Sequence, residues 1–212
     1  LKTPLAIMRG ELELAVGKTQ SPEEFREVAE NCLEEIQNVN RIITDILLLA
    51  RLDYRPDVLR FERLDLRELM AEIYEHAQVL ALAKEMQVDF EESGGELFVR
   101  VDKVHLRRLV LNLVNNAIKY SPVSSRIILG LKQQNNDAVV FVQDFGVGIS
   151  GEHLEKVFDQ FYRVPRASDE LESGTGLGLS IAQSIASAHQ GNIHVESQPG
   201  HGSTFTLHLP LA

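Results

Sequence analysis

Three polar side chains on one predicted helix could bind a metal ion and a phosphate group. Asn112, Asn116 and Lys119 are spaced four and then three residues apart, so they share one helical face. The opposite face is apolar and comprises Leu106, Val110, Leu113 and Ala117. A carboxamide oxygen is a hard ligand suited to Mg²⁺, and a lysine ammonium can bind phosphate. A solvated polar face would show the same pattern, so the helix by itself leaves both interpretations open.

A carboxylate followed by two spaced glycines stands at the end of a predicted strand. Asp144 closes the strand whose apolar residues are 138–142, and Gly146 and Gly148 stand two and four residues after it. An aspartate at a strand end can accept a hydrogen bond from an exocyclic amine, and glycines let the backbone pass close to a flat ligand. A plain turn explains this run equally well.

A third group of residues is the glycine run that opens the last long helix. Gly174, Gly176 and Gly178 would expose free N–H groups and the positive end of the helix dipole, which suits phosphate. The run is not a Walker loop, because the chain has no Gly-Lys-Ser/Thr, and Leu179 stands where a dinucleotide fingerprint needs glycine. A tight turn is the structural alternative.

Residues 150–175 form a long connection, which in a compact domain is usually a functional lid or a disordered segment. Phe158, Phe161 and Tyr162 anchor its start, and packing is the favoured role for these aromatic side chains. Arg163 and Arg166 could reach a terminal phosphate or face water. Arg163 is the better candidate because the neighbouring aromatic residues fix the backbone from which its side chain extends.

From Val58 onward the sequence pattern indicates helices and antiparallel strands in two layers, and these elements must position the side chains above. The pattern therefore predicts an α+β fold for this part of the chain. Asp65 and Asp102 are predicted to cap helices that end near residues 84 and 120, and the last helix is predicted over 177–189 with Gly191 at C′. The predicted strands are 60–64, 87–91, 97–101, 126–132, 138–143, 192–197 and 203–209.

The first 52 residues are predicted to form an antiparallel helical hairpin. Ser21, Pro22 and Glu24 have the spacing of a capping box at the start of the second arm. That arm carries an unbroken heptad seam of Phe25, Ala29, Cys32, Ile36, Val39, Ile43, Ile46 and Ala50. The shorter first arm cannot cover so wide a stripe, which favours a four-helix bundle made by two chains over packing onto the rest of this chain. Cys32 is interpreted as a buried small hydrophobe.

Composition excludes several classes of protein. A formal net charge of −10 argues against a nucleic-acid partner held by bulk attraction. A single cysteine excludes an internal disulfide and a cysteine zinc cluster. No run of 18 apolar residues is present, so no membrane segment is predicted in this sequence.

Taken in order, these motifs resemble the catalytic domain of histidine kinases, an ATP-binding fold shared with DNA gyrase and the MutL repair proteins. Asn-Leu-Val-Asn-Asn-Ala-Ile-Lys-Tyr at 112–120 is similar to the N-box, and 144–148 and 174–178 are similar to the two glycine boxes. The aromatic box corresponds to 158–163, and Gly200-His201-Gly202-Ser203-Thr204-Phe205 is similar to the closing glycine motif. Each motif is weak alone, but five in register over 105–205 are highly specific.

The hairpin resembles the dimerisation and phosphotransfer domain of the same family. Leu1-Lys2-Thr3-Pro4-Leu5 is similar to the run that follows the family's phospho-accepting histidine. The resemblance implies that this histidine and a glutamate immediately precede Leu1, and that Thr3 orients water for dephosphorylation of a response regulator. The implied domains are 1–57, the truncated phosphotransfer hairpin, and 58–212, the ATP-binding domain.

The resemblance also implies the ligands and their contacts. ATP and Mg²⁺ are the expected cofactors, with Asp144 on the adenine amino group and Asn116 on Mg²⁺ beside Asn112. Further nucleotide contacts are expected from Lys119, Tyr120, Gly146, Gly148, Ile149, Arg163, Gly174, Thr175, Gly176, Leu177, Gly178 and Thr204.

The expected activity is that of a sensor histidine kinase in a two-component system. It would phosphorylate its own histidine, pass the phosphoryl group to a response-regulator aspartate, act on the regulator as a phosphatase and work as a homodimer. The chain would be the cytoplasmic part of a membrane-anchored sensor. Asn112 occupies the position where related ATPases carry a catalytic glutamate, and an amide cannot accept a proton at neutral pH. This disfavours an ATPase of the same fold, and the retained motifs disfavour a scaffold that only binds nucleotide.

Overall fold

The structure is a computed structural model that describes residues 2–17, 21–54, 59–165 and 175–212, with the backbone alone described for 2–4, 53 and 54. The chain divides into two compact units, Leu1–Ala50 and Arg51–Ala212. The predicted domain boundary between residues 57 and 58 lies outside the described residues and stays a prediction.

The first unit consists of α1 (Lys2–Gly17) and most of α2 (Pro22–Tyr54), which form the expected helical hairpin. The capping box at the start of α2 is confirmed. The Ser21 N–H donates to Glu24 Oε2 at 2.8 Å, and the Glu24 N–H donates to Ser21 Oγ at 3.2 Å. Two helix-start donors are thereby satisfied by side chains within one turn.

The seam between the two arms is buried only in part. Cys32 is buried as predicted, with its Sγ 3.9 Å from the Met8 carbonyl oxygen. Other positions of the same seam remain exposed in the single chain, namely Phe25, Ile36, Ile43 and Ile46. The shorter α1 therefore leaves a long apolar stripe of α2 open.

The second unit has the predicted two layers of helices and strands. Its helices are α3 (Leu66–Leu82), α4 (Lys103–Tyr120) and α5 (Gly178–Ala188). A two-stranded sheet joins β1 (Glu62–Asp65) and β3 (Phe98–Val101). The main sheet consists, in spatial order, of β2 (Gln87–Ser93), β4 (Arg126–Gln134), β5 (Asp137–Asp144), β7 (Gly202–Pro210) and β6 (Asn192–Gln198).

One pairing in the main sheet differs from the predicted antiparallel arrangement. β2 pairs with β4 in parallel, from Gln87 opposite Arg126 to Ser93 opposite Lys132, whereas the other pairs are antiparallel. Parallel neighbours need a long crossover connection, and β3 with α4 supplies it between these two strands. The local pattern of apolar and polar residues does not indicate that two strands will pair across such a crossover.

The two aspartate caps are confirmed. Asp65 accepts from the Arg67 N–H at 3.1 Å, and Asp102 accepts from the His105 N–H at 3.0 Å. The predicted C′ position of the last helix is wrong by one residue, because Gln190 takes the left-handed conformation with φ of 58°. The Gly191 N–H donates to Ala186 O at 2.9 Å, as the residue after C′ does in a Schellman motif. Glycine is needed at 191 for space, since a Cβ there would lie 2.3 Å from His208 O.

Asp102 also links the segment before β1 to the start of α4 and the end of α5. Its Oδ2 accepts from the Arg60 N–H at 2.8 Å, and its own N–H donates to His189 Nε2 at 2.9 Å. Burial lowers the pKa of His189, which keeps the ring neutral. Burial acts to raise the pKa of Asp102, but the N–H groups of Arg60 and His105 outweigh it and the pKa is lowered.

Candidate functional site

The candidate site is a cleft between the end of β5, the last turns of α4 and the start of α5. Its empty volume is about 660 Å³, a figure that includes open solvent at its mouth. Its walls are formed by Asn116, Tyr120, Asp144, Val147, Gly148, Ile149, Val157, Tyr162, Arg163, Val164, Leu179, Ser203 and Phe205.

Asp144 is a buried carboxylate in the wall of this cleft. It ends β5, opposite Ser203 of β7, and only 5% of its surface is exposed. Its Oδ1 accepts from the Gly146 N–H at 2.9 Å. A Cβ on Gly146 would lie 2.3 Å from Tyr120 O, so only glycine permits this close approach of the loop to α4. The aspartate is thereby held as a fixed acceptor.

The loop after Asp144 is tied to the hairpin between β6 and β7. Gly148 has a φ of +68°, and a Cβ on it would lie 2.0 Å from Gln198 O. The Ile149 N–H donates to Ser197 Oγ at 2.8 Å, and the Gly200 N–H donates to Val147 O at 2.8 Å. The hairpin that carries the closing glycine motif thus supports the glycine loop after Asp144.

The polar face of α4 is divided between the cleft and α5. Asn116 and Tyr120 line the cleft, and within the described part of the chain no hydrogen bond is made by the Asn116 carboxamide. The Asn112 amide donates to Gly178 O at 3.1 Å, which joins the middle of α4 to the start of α5. Lys119 lies with its ammonium 5.0 Å from the ring centre of Tyr120.

The aromatic segment forms the outer wall through two fixed contacts. The Tyr162 hydroxyl lies 2.7 Å from His153 Nδ1 in a hydrogen bond. The Phe161 N–H donates to Gly176 O at 3.0 Å, and Phe161 itself has a φ of 65°. This crossing brings Arg163 to the cleft beside the start of α5.

The start of α5 is described from Thr175 onward. Thr175 Oγ1 accepts from the Leu177 N–H at 3.3 Å, and Leu177 is fully buried. Leu179 lines the cleft. Gly174 and Arg166 lie outside the described residues.

The structure brings six of the predicted site residues to one cleft, namely Asn116, Tyr120, Asp144, Gly148, Ile149 and Arg163. The remaining predicted residues for which the structure is described lie beside the cleft wall rather than on it, and these are Asn112, Lys119, Gly146, Thr175, Gly176, Leu177, Gly178 and Thr204. For Thr3 the structure describes only the backbone, within α1.

Thr204 is replaced on the cleft wall by its neighbour Ser203. Successive residues of a strand point to opposite faces, so Ser203 and Phe205 share the face toward the cleft and Thr204 projects from the other. The Ser203 hydroxyl lies 2.9 Å from Ser197 Oγ, within the same support of the glycine loop. The alternation of β7 could have identified this residue.

Sequence reasoning also missed most of the apolar wall, which consists of Val147, Val157, Val164, Leu179 and Phe205. The sequence predicts a packing role for Tyr162, yet this residue lines the cleft. Isolated valines and leucines carry no signal that separates a ligand wall from a core. A buried acceptor beside an apolar wall suits a flat ring bearing an N–H donor, with Asn116 and Arg163 placed for a charged extension of the same ligand.

Comparison with known proteins gives two family matches. Residues 1–55 match the His Kinase A (phospho-acceptor) domain. Residues 101–212 match the family described as Histidine kinase-, DNA gyrase B-, and HSP90-like ATPase.

Curated relatives match along the whole chain. The sensor histidine kinase RppB of Synechocystis is 35% identical over 100% of this chain and 47% of that protein. The sensor protein IrlS of Burkholderia pseudomallei is 33% identical over 99% of this chain and 45% of that protein. The chain thus spans about half the length of these relatives.

Solved structures show the same architecture. The histidine kinase ThkA in complex with the response regulator protein TrrA superposes with a TM-score of 0.79 at 25% identity, covering 100% of this chain and 58% of that one. The histidine kinase AdeS of Acinetobacter baumannii shares the fold, with a TM-score of 0.78 at 19% identity over 99% of this chain and 96% of that one. Among the described helices, none has the length and apolarity needed to cross a bilayer.

Proposed function

The chain belongs to the sensor histidine kinases as a phospho-acceptor hairpin followed by the ATP-binding domain of that family, and we propose that it transfers the γ-phosphoryl group of Mg-ATP to a histidine. The observation that carries the proposal is the shared cleft of Asn116, Asp144 and Arg163. A fixed carboxylate would accept from the adenine amino group, and the apolar wall would cover the ring. The phosphates would then extend toward Arg163 and the start of α5.

The residues fit a magnesium ion bound mainly through the nucleotide. In the described ranges no group of three His, Cys, Asp or Glu side chains could hold a metal. Mg²⁺ commonly takes one or two protein oxygens and completes its shell with phosphates and water. The carboxamide oxygen of Asn116, at the cleft wall, is the protein ligand that we assign. Bound Mg²⁺ would neutralise charge on the transferring phosphoryl group.

The other polar groups would hold the phosphate tail in line for attack. Arg163, Lys119 and Tyr120 supply donors, and α5 directs its N-terminus to the same region. In the reaction a histidine nitrogen forms a bond to the γ-phosphorus while the bond to the bridging oxygen breaks, and ADP leaves. Positioning supplies most of the catalysis in such transfers.

Asn112 supports transfer to an imidazole over hydrolysis by water. Its amide is engaged by Gly178 O, so the side chain acts as a strut between α4 and α5. A neutral amide cannot remove a proton from water at neutral pH. An ATPase of the same fold is the second candidate, and sustained release of inorganic phosphate would favour it.

The acceptor is proposed to be supplied by residues outside this sequence. None of the seven histidines lies on α1 or α2. The run from Leu1 to Leu5 resembles the residues that follow the family's acceptor histidine.

A homodimer is proposed from the open apolar stripe on α2. Phe25, Ile36 and Ile43 are between 42% and 51% exposed in the single hairpin, although they continue the heptad seam of buried Cys32. Two such stripes would bury each other in a four-helix bundle.

The function is tested by supplying the acceptor separately. The chain is incubated with Mg²⁺ and γ-labelled ATP beside a dimeric hairpin whose first helix is extended by the His-Glu pair. We expect acid-labile phosphohistidine on the extended hairpin and none on this chain. Phosphohistidine on this chain, or phosphate release without any acceptor labelling, would overturn the proposal.

Sedimentation of the chain should show twice 23.8 kDa, and a monomer at all concentrations would refute the dimer.

The partner is proposed to be a receiver domain of a response regulator, on which Thr3 would orient the water of a phosphatase reaction. The complex of ThkA with TrrA supports this class of partner. We expect Thr3→Ala in the intact kinase to slow dephosphorylation of the regulator by about tenfold while leaving histidine phosphorylation within about twofold. Equal losses in both reactions would contradict this role. The intact protein is proposed to be membrane-anchored, with this chain on its cytoplasmic side.

A further inference from the structure

Lys84 lies outside every motif discussed so far and yet contacts the end of α4. It follows α3 and is partly buried. Its ammonium donates to Lys119 O at 2.8 Å, to Ile118 O at 3.0 Å and to Ser121 O at 3.2 Å. One side chain therefore satisfies three carbonyls that the helix leaves without intrahelical partners.

The remaining carbonyl of residues 118–121 accepts a hydrogen bond from the loop after Asp144. Tyr120 O accepts from the Val147 N–H at 3.3 Å, and Gly146 packs against the same oxygen. The carbonyls of 118–121 are thus shared between Lys84 on one side and the loop after Asp144 on the other. Any rotation of this last turn would move Asn116 and Tyr120 together with the loop.

The base of Lys84 is itself fixed to the main sheet. Its carbonyl accepts from the Ser124 N–H at 3.0 Å, and nearby the Gln87 N–H donates to Ser125 O at 3.0 Å. A cation at the carbonyl end of a helix is also favoured by the helix dipole. The lysine therefore links the segment just before β4 to the helix end that carries two cleft residues.

We propose that Lys84 is a positioning residue of the nucleotide site, which sets the orientation of the last turn of α4. This inference rests on the proposed function, since the affected ligand is the Mg-nucleotide. Lys84 does not line the cleft, so it acts through Asn116, Tyr120 and the Val147 hydrogen bond. Removal of its donors would release the turn without removing any ligand contact.

The test compares Lys84→Met and Lys84→Arg with a substitution of Lys103, a lysine at the opposite end of α4 from the Lys84 contacts. Lys103 begins α4 at its far end, where it pairs with Glu72, so Lys103→Met controls for loss of a lysine. Titration calorimetry with Mg-ADP, well below the unfolding transition, should give a Kd raised about tenfold in Lys84→Met. Lys84→Arg should stay within about threefold of the parent because it retains charge and donors, and Lys103→Met should be unchanged.

Amide hydrogen exchange supplies a readout that needs no nucleotide. The Val147 amide should exchange at least about tenfold faster in Lys84→Met, because its acceptor turn is loosened, and at the parent rate in Lys103→Met. Should Lys84→Met fail to fold, Lys84→Gln replaces it, with the same expected direction of both readouts. Parent-like Kd and Val147 exchange in the folded variant would overturn the inference. Absence of Mg-ADP binding by the parent would refute the proposed function instead, and the exchange data would still judge Lys84.

Discussion

Replacing Asp144 by asparagine is expected to raise the Kd for Mg-ADP by at least about 100-fold. The native carboxylate is buried, fixed by the Gly146 N–H and open to the cleft. An asparagine of nearly the same shape would direct either a weaker acceptor or an N–H donor at the adenine amine. Loss of a charge-assisted hydrogen bond with a polar group left unpaired costs about 3 kcal/mol, which corresponds to roughly 100-fold.

The chain offers a matched control at the opposite end of the same strand. Asp137 begins β5, far along the strand from Asp144, and its side chain is 43% exposed. Asp137→Asn should leave the Kd for Mg-ADP within about twofold of the parent, since an exposed carboxylate contributes little. Calorimetry on both variants, with circular dichroism to confirm folding, measures the effect. If a folded Asp144→Asn protein bound Mg-ADP as tightly as the parent, the assignment of Asp144 to the adenine amino group would be wrong.

Replacing Asn116 by alanine is expected to abolish the dependence of nucleotide binding on magnesium. The parent should bind ATP at least about tenfold more tightly with Mg²⁺ than with EDTA, because the metal joins the phosphates to a protein oxygen. In Asn116→Ala the two affinities should converge. Labelling of the separately supplied acceptor hairpin should fall by at least about 100-fold, as expected for loss of a preorganised charge-stabilising contact.

Asn115 is the natural control for this experiment. It is the adjacent residue of the same type on α4, but its side chain is exposed and does not line the cleft. Asn115→Ala should retain both the magnesium dependence and the labelling rate of the parent. If Asn116→Ala kept the full preference for Mg²⁺ over EDTA, the metal-ligand assignment would be wrong, although Asp144 could still bind the base.

Features set by neighbouring residues could be predicted from the sequence. The capping box of Ser21 and Glu24 and the aspartate caps at 65 and 102 form as expected, because each hydrogen bond closes within one helical turn. The apolar face of α4 is buried as its periodicity predicts. The family resemblance predicts that Asn116 and Asp144 lie at one site. The number of residues between them in the sequence does not by itself indicate how close they are in space.

Tertiary structure alone decided which neighbours complete the site. It placed Ser203 on the cleft wall in place of Thr204, because the strand register sets which residues face inward and a shift of one residue reverses the faces. It paired β2 with β4 in parallel and brought Lys84 to the carbonyls of α4. These contacts join segments far apart in the chain, and their geometry depends on how whole elements pack. The sequence therefore determined the family and the capped helix starts, whereas packing and register determined which residues line the cleft and how they are held.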